Sequence, residues 1–164
     1  MIFVTVGTLF SFDRLINAVD DAVGRGLIDE EVFAQIGPCQ TKPRHLNYVE
    51  MLDKKSYDEM IGNASGLISH AGIGSITLAL RFNKPLLVMP RMKRYNEHVN
   101  DHQVDTARRF EQLGHILVAY EAQELIRQMR SLKSFVPKKR QPNSQAVVDY
   151  VASFLAEVSN AKYA

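Results

Sequence analysis

The stretch Ser69-His70-Ala71-Gly72-Ile73-Gly74-Ser75 carries the most promising chemistry in this chain. Apolar Gly66-Leu67-Ile68 precedes it, and Ile76-Thr77-Leu78-Ala79-Leu80 follows with a helical pattern. Lys84-Pro85 then leads into a second apolar run, Leu86-Leu87-Val88-Met89-Pro90. The order predicts strand, glycine turn, helix, strand. Glycines at the turn let backbone approach a ligand closely, and the helix start presents free N–H groups and a positive dipole end. Phosphate-bearing ligands bind at such places. His70, directly before the turn, is placed for a ring N–H to donate to a phosphate oxygen; tied to a backbone group, it would be only a strand-end histidine.

Three other chemistries fit less well. A nicotinamide-dinucleotide site wants G-x-G-x-x-G in the first strand-to-helix turn, but that turn is Gly7-Thr8-Leu9-Phe10. The later Gly72-Ile73-Gly74-Ser75-Ile76-Thr77 has Thr where the third glycine belongs, and the next strand ends in Met89-Pro90 instead of an acid for the ribose. For a metal, His98 and His102 stand four apart on a predicted helix, with Glu97, Asp101 and Asp105 nearby. Yet no Glu follows the first His, and neither a third ligand nor a D-x-D pair is apparent, so a surface pair is the simpler reading and no metal is expected. For nucleophilic catalysis, Ser69 and His70 are adjacent and point to opposite faces of a continuing strand. Cys39 lies in a glycine–proline loop with no base near it in sequence.

The elements that must position these residues read as alternating strands and helices. Ile2 to Val6 is a buried-strand pattern ended by Gly7-Thr8. Ser11 or Asp13 is placed to cap a helix to about Val23, and Gly24-Arg25-Gly26 breaks it. Glu31 to Ile36 and, more weakly, Asn47 to Met51 are strands, and a helix runs from Ser56 to about Asn63. Beyond Pro90, Arg91 to Asn96 is polar and basic, an exposed loop. A helix from about His98 turns Val104, Ala107, Phe110 and Leu113 inward and stops at Gly114. His115 to Val118 is a strand and Glu121 to Met129 a helix. Residues 136–143, including Lys138-Lys139-Arg140, form a proline-flanked linker. A last amphipathic helix over 144–160 buries Val147, Val151, Phe154, Leu155 and Val158 as one stripe.

This alternation predicts an α/β fold, a Rossmann-like parallel sheet with helices on both faces, in one domain over 1–164. Ligands of such sheets bind beyond the carboxyl ends of the strands, where Gly7-Thr8, His70 to Ser75 and Arg91 to Gln103 all converge. A formal net charge of +2 gives no nucleic-acid footprint. One cysteine fits a reducing compartment, and no apolar run approaches the roughly 20 residues of a membrane span. Met1-Ile2-Phe3 opens with no basic leader, so the chain reads as cytoplasmic.

At these residues the chain resembles a known family. His70 to Ser75, then Lys84 to Pro90, then Glu97-His98-Val99-Asn100-Asp101-His102-Gln103 look like the C-terminal domain of family 28 glycosyltransferases, most of all its PssE-type bacterial exopolysaccharide subunits. The resemblance runs from Val4 to about Leu125 and implies the donor-binding half of a GT-B enzyme. It implies that His70, Ala71, Gly72, Ile73, Gly74 and Ser75 wrap the diphosphate of a UDP-sugar with Gly7 and Thr8 facing the same cleft, and that the Met51-Leu52 backbone holds the uracil. It places Asp101 and Gln103 at the donor sugar, within a segment whose Glu97, Asn100 and His102 complete the pattern. The acid that relatives use for the ribose is replaced here by Leu78.

Inverting sugar transfer needs a base for the acceptor hydroxyl and a stabilised diphosphate leaving group, and this chain offers only the second. The resemblance therefore implies a membrane-associated PssD-like subunit that supplies the acceptor side and recruits the chain to the inner face of the membrane. The substrates implied are a UDP-sugar, glucuronate or galactose, and a polyprenyl-diphosphate-linked saccharide acceptor; no cofactor is expected. Arg91, Lys93 and Arg94 beside the sugar segment suit an acidic sugar. The alternative is a non-catalytic nucleotide-sugar-binding regulatory or scaffold module.

Overall fold

The computed structural model describes residues 1–139 and 144–161. Six strands, β1 (Ile2–Thr5), β2 (Val32–Gln35), β3 (Asn47–Val49), β4 (Gly66–His70), β5 (Leu86–Met89) and β6 (Leu117–Val118), form one parallel sheet in the order β3-β2-β1-β4-β5-β6. All five pairings are parallel, with Thr5 opposite both Gln35 and Ser69. Alternate strand residues feed opposite layers, as period-two geometry requires. Ile2, Val4, Ile68 and Leu87 face the layer under α1 (Asp13–Gly24) and α5 (Ala122–Leu132). Phe3, Leu67, Leu86 and Val88 face the layer under α2 (Lys54–Asn63), α3 (Ile73–Arg81) and α4 (His102–Gln112). No helix among the described residues is long and apolar enough to cross a membrane.

Several expected boundaries move for local reasons. Asp13 does not cap α1; its carboxylate accepts the Thr41 N–H at 2.7 Å, and Phe12 takes the cap position. Asp53, not Ser56, starts α2, accepting from the Ser56 N–H at 3.0 Å. The Arg91 to Asn96 loop contains a 3-10 turn at Lys93–Tyr95, and Arg91 and Met92 in it are buried. α4 begins at His102 and not near His98, because Asp101 accepts the Lys93 N–H at 2.8 Å and holds the chain in a turn before the helix. Leu113 is exposed where an inward position was expected.

The last helix, α6 (Ser144–Ala161), differs most from expectation. Val147, Val151, Phe154, Leu155 and Val158, expected to be buried, are each between 47% and 63% exposed. Part of the expected linker is tied down, since Lys138 donates its N–H to Gly114 at 2.9 Å and its carbonyl meets His115 Nδ1 at 2.8 Å. Residues 140–143 of that linker, with Arg140 of the basic cluster, lie outside the described residues.

Candidate functional site

The chain leaves β1 for β2 on one side and returns to β4 on the other, so a crevice opens beyond the carboxyl ends of β1 and β4. Gly7 and His70 meet across it. Gly7 sits at φ +77°, a conformation that suits glycine, and a Cβ there would lie 3.1 Å from His70 Nε2. Gly72, the N-cap of α3, is closer still: a Cβ there would lie 2.1 Å from His70 Cε1.

His70 is half-buried, and its Nδ1 accepts the Gly72 N–H at 2.9 Å. Nδ1 therefore carries no proton, and the neutral ring places its N–H on Nε2. Ser75 Oγ lies 3.4 Å from that nitrogen. Burial first, and then the positive charge of Arg91, hold the His70 pKa down to about 4, with the Gln103 amide opposing the shift. One ring nitrogen is thus tied to backbone, as a strand-end histidine would be, and the other faces Gly7 and the Ser75 hydroxyl. Its strand neighbour Ser69 turns the other way and donates to the Thr5 carbonyl at 2.8 Å.

Two clefts flank Gly7-Thr8. The first, about 290 Å³, is lined by Gly7 to Phe10 together with His70, Arg91, His98 and Gln103. The second, about 310 Å³, is lined by Gly7, Thr8, Gln35, Leu52, Lys54 and Tyr57. Tyr57 Oη and Thr5 Oγ1 approach to 3.5 Å at its inner side, and Gln35 donates to the Met51 sulfur at 3.8 Å. Neither cleft is lined by a carboxylate. Ile73 and Gly74, in the first turn of α3, are exposed, and a Cβ on Gly74 would meet open space. A cavity of about 400 Å³ lies at the opposite edge of the sheet, lined in part by Asp29, Glu30, Arg130 and Lys133, far from the loops that follow β1 and β4.

The other expected residues divide. Gln103 is buried, and its Oε1 accepts the Arg91 N–H at 3.1 Å. Asn100, Asp101 and His102 are exposed at the start of α4, where Asn100 accepts from the His102 backbone N–H at 3.3 Å. Glu97 lies outside both clefts, gripped by Arg14 through contacts of 2.7 and 2.8 Å and by the Met92 N–H at 3.0 Å. Arg14 also donates to the Pro90 and Tyr120 carbonyls, each at 2.9 Å, so this pair fastens α1 to the segment after β5. His98 and His102 do not share a helix, yet their rings meet edge-on at 4.5 Å. Gln35, Lys54 and Tyr57 were not expected at the site, whereas Arg91, expected beside the sugar segment on an exposed loop, lines the first cleft from a buried position.

A doubly wound parallel sheet with loops converging at its switch point defines a Rossmann-like domain. The particular assignment is narrower. The chain belongs to the glycosyltransferase family 28 C-terminal domain family, whose model matches residues 1–159. It is 49% identical over 61 residues to the UDP-N-acetylglucosamine transferase subunit ALG13 of Eremothecium gossypii, covering 36% of this chain and 28% of the relative. The Homo sapiens ALG13 subunit is 35% identical over 124 residues, covering 70% of this chain but 10% of the relative. The chain thus spans a minor part of these relatives' length.

Among solved structures, the NMR structure of ALG13 superposes with a TM-score of 0.59 at 20% identity, over 88% of this chain and 91% of that one. The glycotransferase of kitacinnamycin superposes at 0.61 and 17% identity, over 81% of this chain and 34% of that one. The fold is thus that of GT-B-like glycosyltransferases.

Proposed function

We propose that the chain is the donor-binding, catalytic-type subunit of a two-component inverting glycosyltransferase, with a UDP-sugar as donor. The observation that carries this reading is the pair of clefts meeting at Gly7-Thr8, the first of them lined by His70, whose Nδ1 is held by the Gly72 N–H at the cap of α3. In this reading the cleft at Leu52, Tyr57 and Gln35 takes the uridine, with the Met51-Leu52 backbone at the uracil. The diphosphate lies across Gly7, Thr8 and His70 to Ser75, where N–H groups of the helix start stabilise the leaving group. The sugar extends toward Gln103 and the Asn100 to His102 turn.

The acceptor is a polyprenyl-diphosphate-linked saccharide in exopolysaccharide or capsule synthesis, and the donor sugar is glucuronate or galactose. No acid lines either cleft, which supports a base supplied by another chain. A membrane-associated PssD-like subunit is that chain, docking on the exposed apolar stripe of α6 and holding this one at the inner face of the membrane. The same lack of an acid favours the second reading, a non-catalytic nucleotide-sugar-binding module. Transfer of labelled sugar from a UDP-sugar panel to the lipid acceptor, with and without the partner, separates them. Transfer only by the pair supports the enzyme; no transfer with any donor leaves the binding module.

A further inference from the structure

The first cleft is underlain by a positive charge, Arg91, that forms no ion pair among the described residues; the one carboxylate that acts on it, Glu97, does so at longer range and is itself paired with Arg14. Arg91 is 3% exposed. One terminal nitrogen donates to the Val6 and Phe10 carbonyls, each at 2.7 Å, while Nε has no partner. The guanidinium carbon lies 4.9 Å over the Phe12 ring. None of the ion pairs among the described residues includes it. Arg14 makes the contrast, since its guanidinium is held by both Glu97 oxygens.

A buried charge without a counter-charge is costly, and here the cost shows at its neighbours. Burial brings Arg91 itself down to about 10, and its charge helps depress both His70 and His98. His98 Nδ1, at the same cleft, is a second buried polar atom without a partner. Neutral His70 and the backbone N–H groups offer direction but no net charge, and Arg91 is the one Lys or Arg among the residues lining this cleft. Lys93 and Arg94 are exposed and screened by solvent, and Arg94 is already paired with Glu121.

We propose that Arg91 is a positioning residue of the ligand site, holding the Gly7 to Phe10 loop through its carbonyl bonds and supplying the counter-charge for an anionic diphosphate bound between that loop and His70. The proposal rests on the UDP-sugar reading for the ligand but not for the charge. A simple loop staple would treat charged and uncharged ligands alike; a counter-charge does not.

Calorimetric titration of the wild type, R91Q and R91K with UDP, uridine and inorganic pyrophosphate tests it. R91Q is expected to lose UDP and pyrophosphate affinity by roughly ten- to a hundredfold with uridine unchanged, and R91K to recover most of that loss. A folded R91Q that keeps its preference for UDP over uridine, an R91K as weak as R91Q, or a parallel loss of all ligands overturns it. Should R91Q not fold, the Arg91 Nε–H resonance of the wild type carries the test: it shifts with UDP or pyrophosphate and not with uridine, and a resonance unmoved by either anion overturns the proposal. Arg91-dependent pyrophosphate binding without UDP binding would keep the counter-charge and remove the UDP-sugar reading. A wild type that binds neither anion removes both.

Discussion

His70 is held in one tautomer by one bond, and that makes its role testable residue by residue. With Nδ1 accepting from Gly72, only Nε2–H can reach a phosphate, so His70→Ala is expected to weaken UDP binding by about tenfold or more while the fold persists. Unchanged affinity by calorimetry would remove the phosphate role. The same burial sets a pH signature. An unfolded His titrates near 6.5 and this one near 4, so the unfolded chain binds the extra proton between those values. The His70 contribution to stability is complete above about pH 6.5 and is lost as pH falls toward 4, by at most about 3 kcal/mol. Denaturant melts across that range should slope less in His70→Gln than in the wild type. Sequence alone placed His70 beside a turn and left its two readings open, because a tautomer is decided by a through-space contact.

At the scale of elements, the start of α3 and the Arg14–Glu97 clasp do different jobs. Gly74 faces open space in a helical first turn, so Gly74→Ala is expected to leave the free chain as stable or up to about 1 kcal/mol more stable, while UDP binding weakens. Tighter UDP binding in that variant would mean the ligand passes elsewhere. Glu97→Ala strands the Arg14 guanidinium and the Met92 N–H, and is expected to cost about 3 kcal/mol in urea unfolding. Strand order, glycine turn and helix phase were legible in the sequence because each rests on local pattern. The clasp was not, since its partners are 83 positions apart and neither residue type announces a mate. Tyr57 and Gln35 escaped notice for the same reason: they reach the cleft only once β2 and α2 lie beside β1. The stripe of α6 was legible as a pattern, but its burial was not, because periodicity says that a face is apolar and not what covers it.

For the whole molecule, the sheet presents two edges and only one carries the loops of the proposed site. A chain ending at residue 139 should bind UDP as the full chain does yet fail to transfer sugar with the partner, if α6 is the docking element; sugar transfer that survives the truncation would move the docking surface elsewhere. The central claim, that a UDP-sugar diphosphate sits at the switch point, is tested most directly by a UDP titration followed through backbone amide resonances. The expected result is saturable shifts at Gly7, Thr8, Gly72, Gly74 and Ser75, with Leu52 moving alongside. Shifts confined to Gly26, Leu27, Glu30 and Lys133 around the opposite cavity, or none at millimolar UDP, would contradict it.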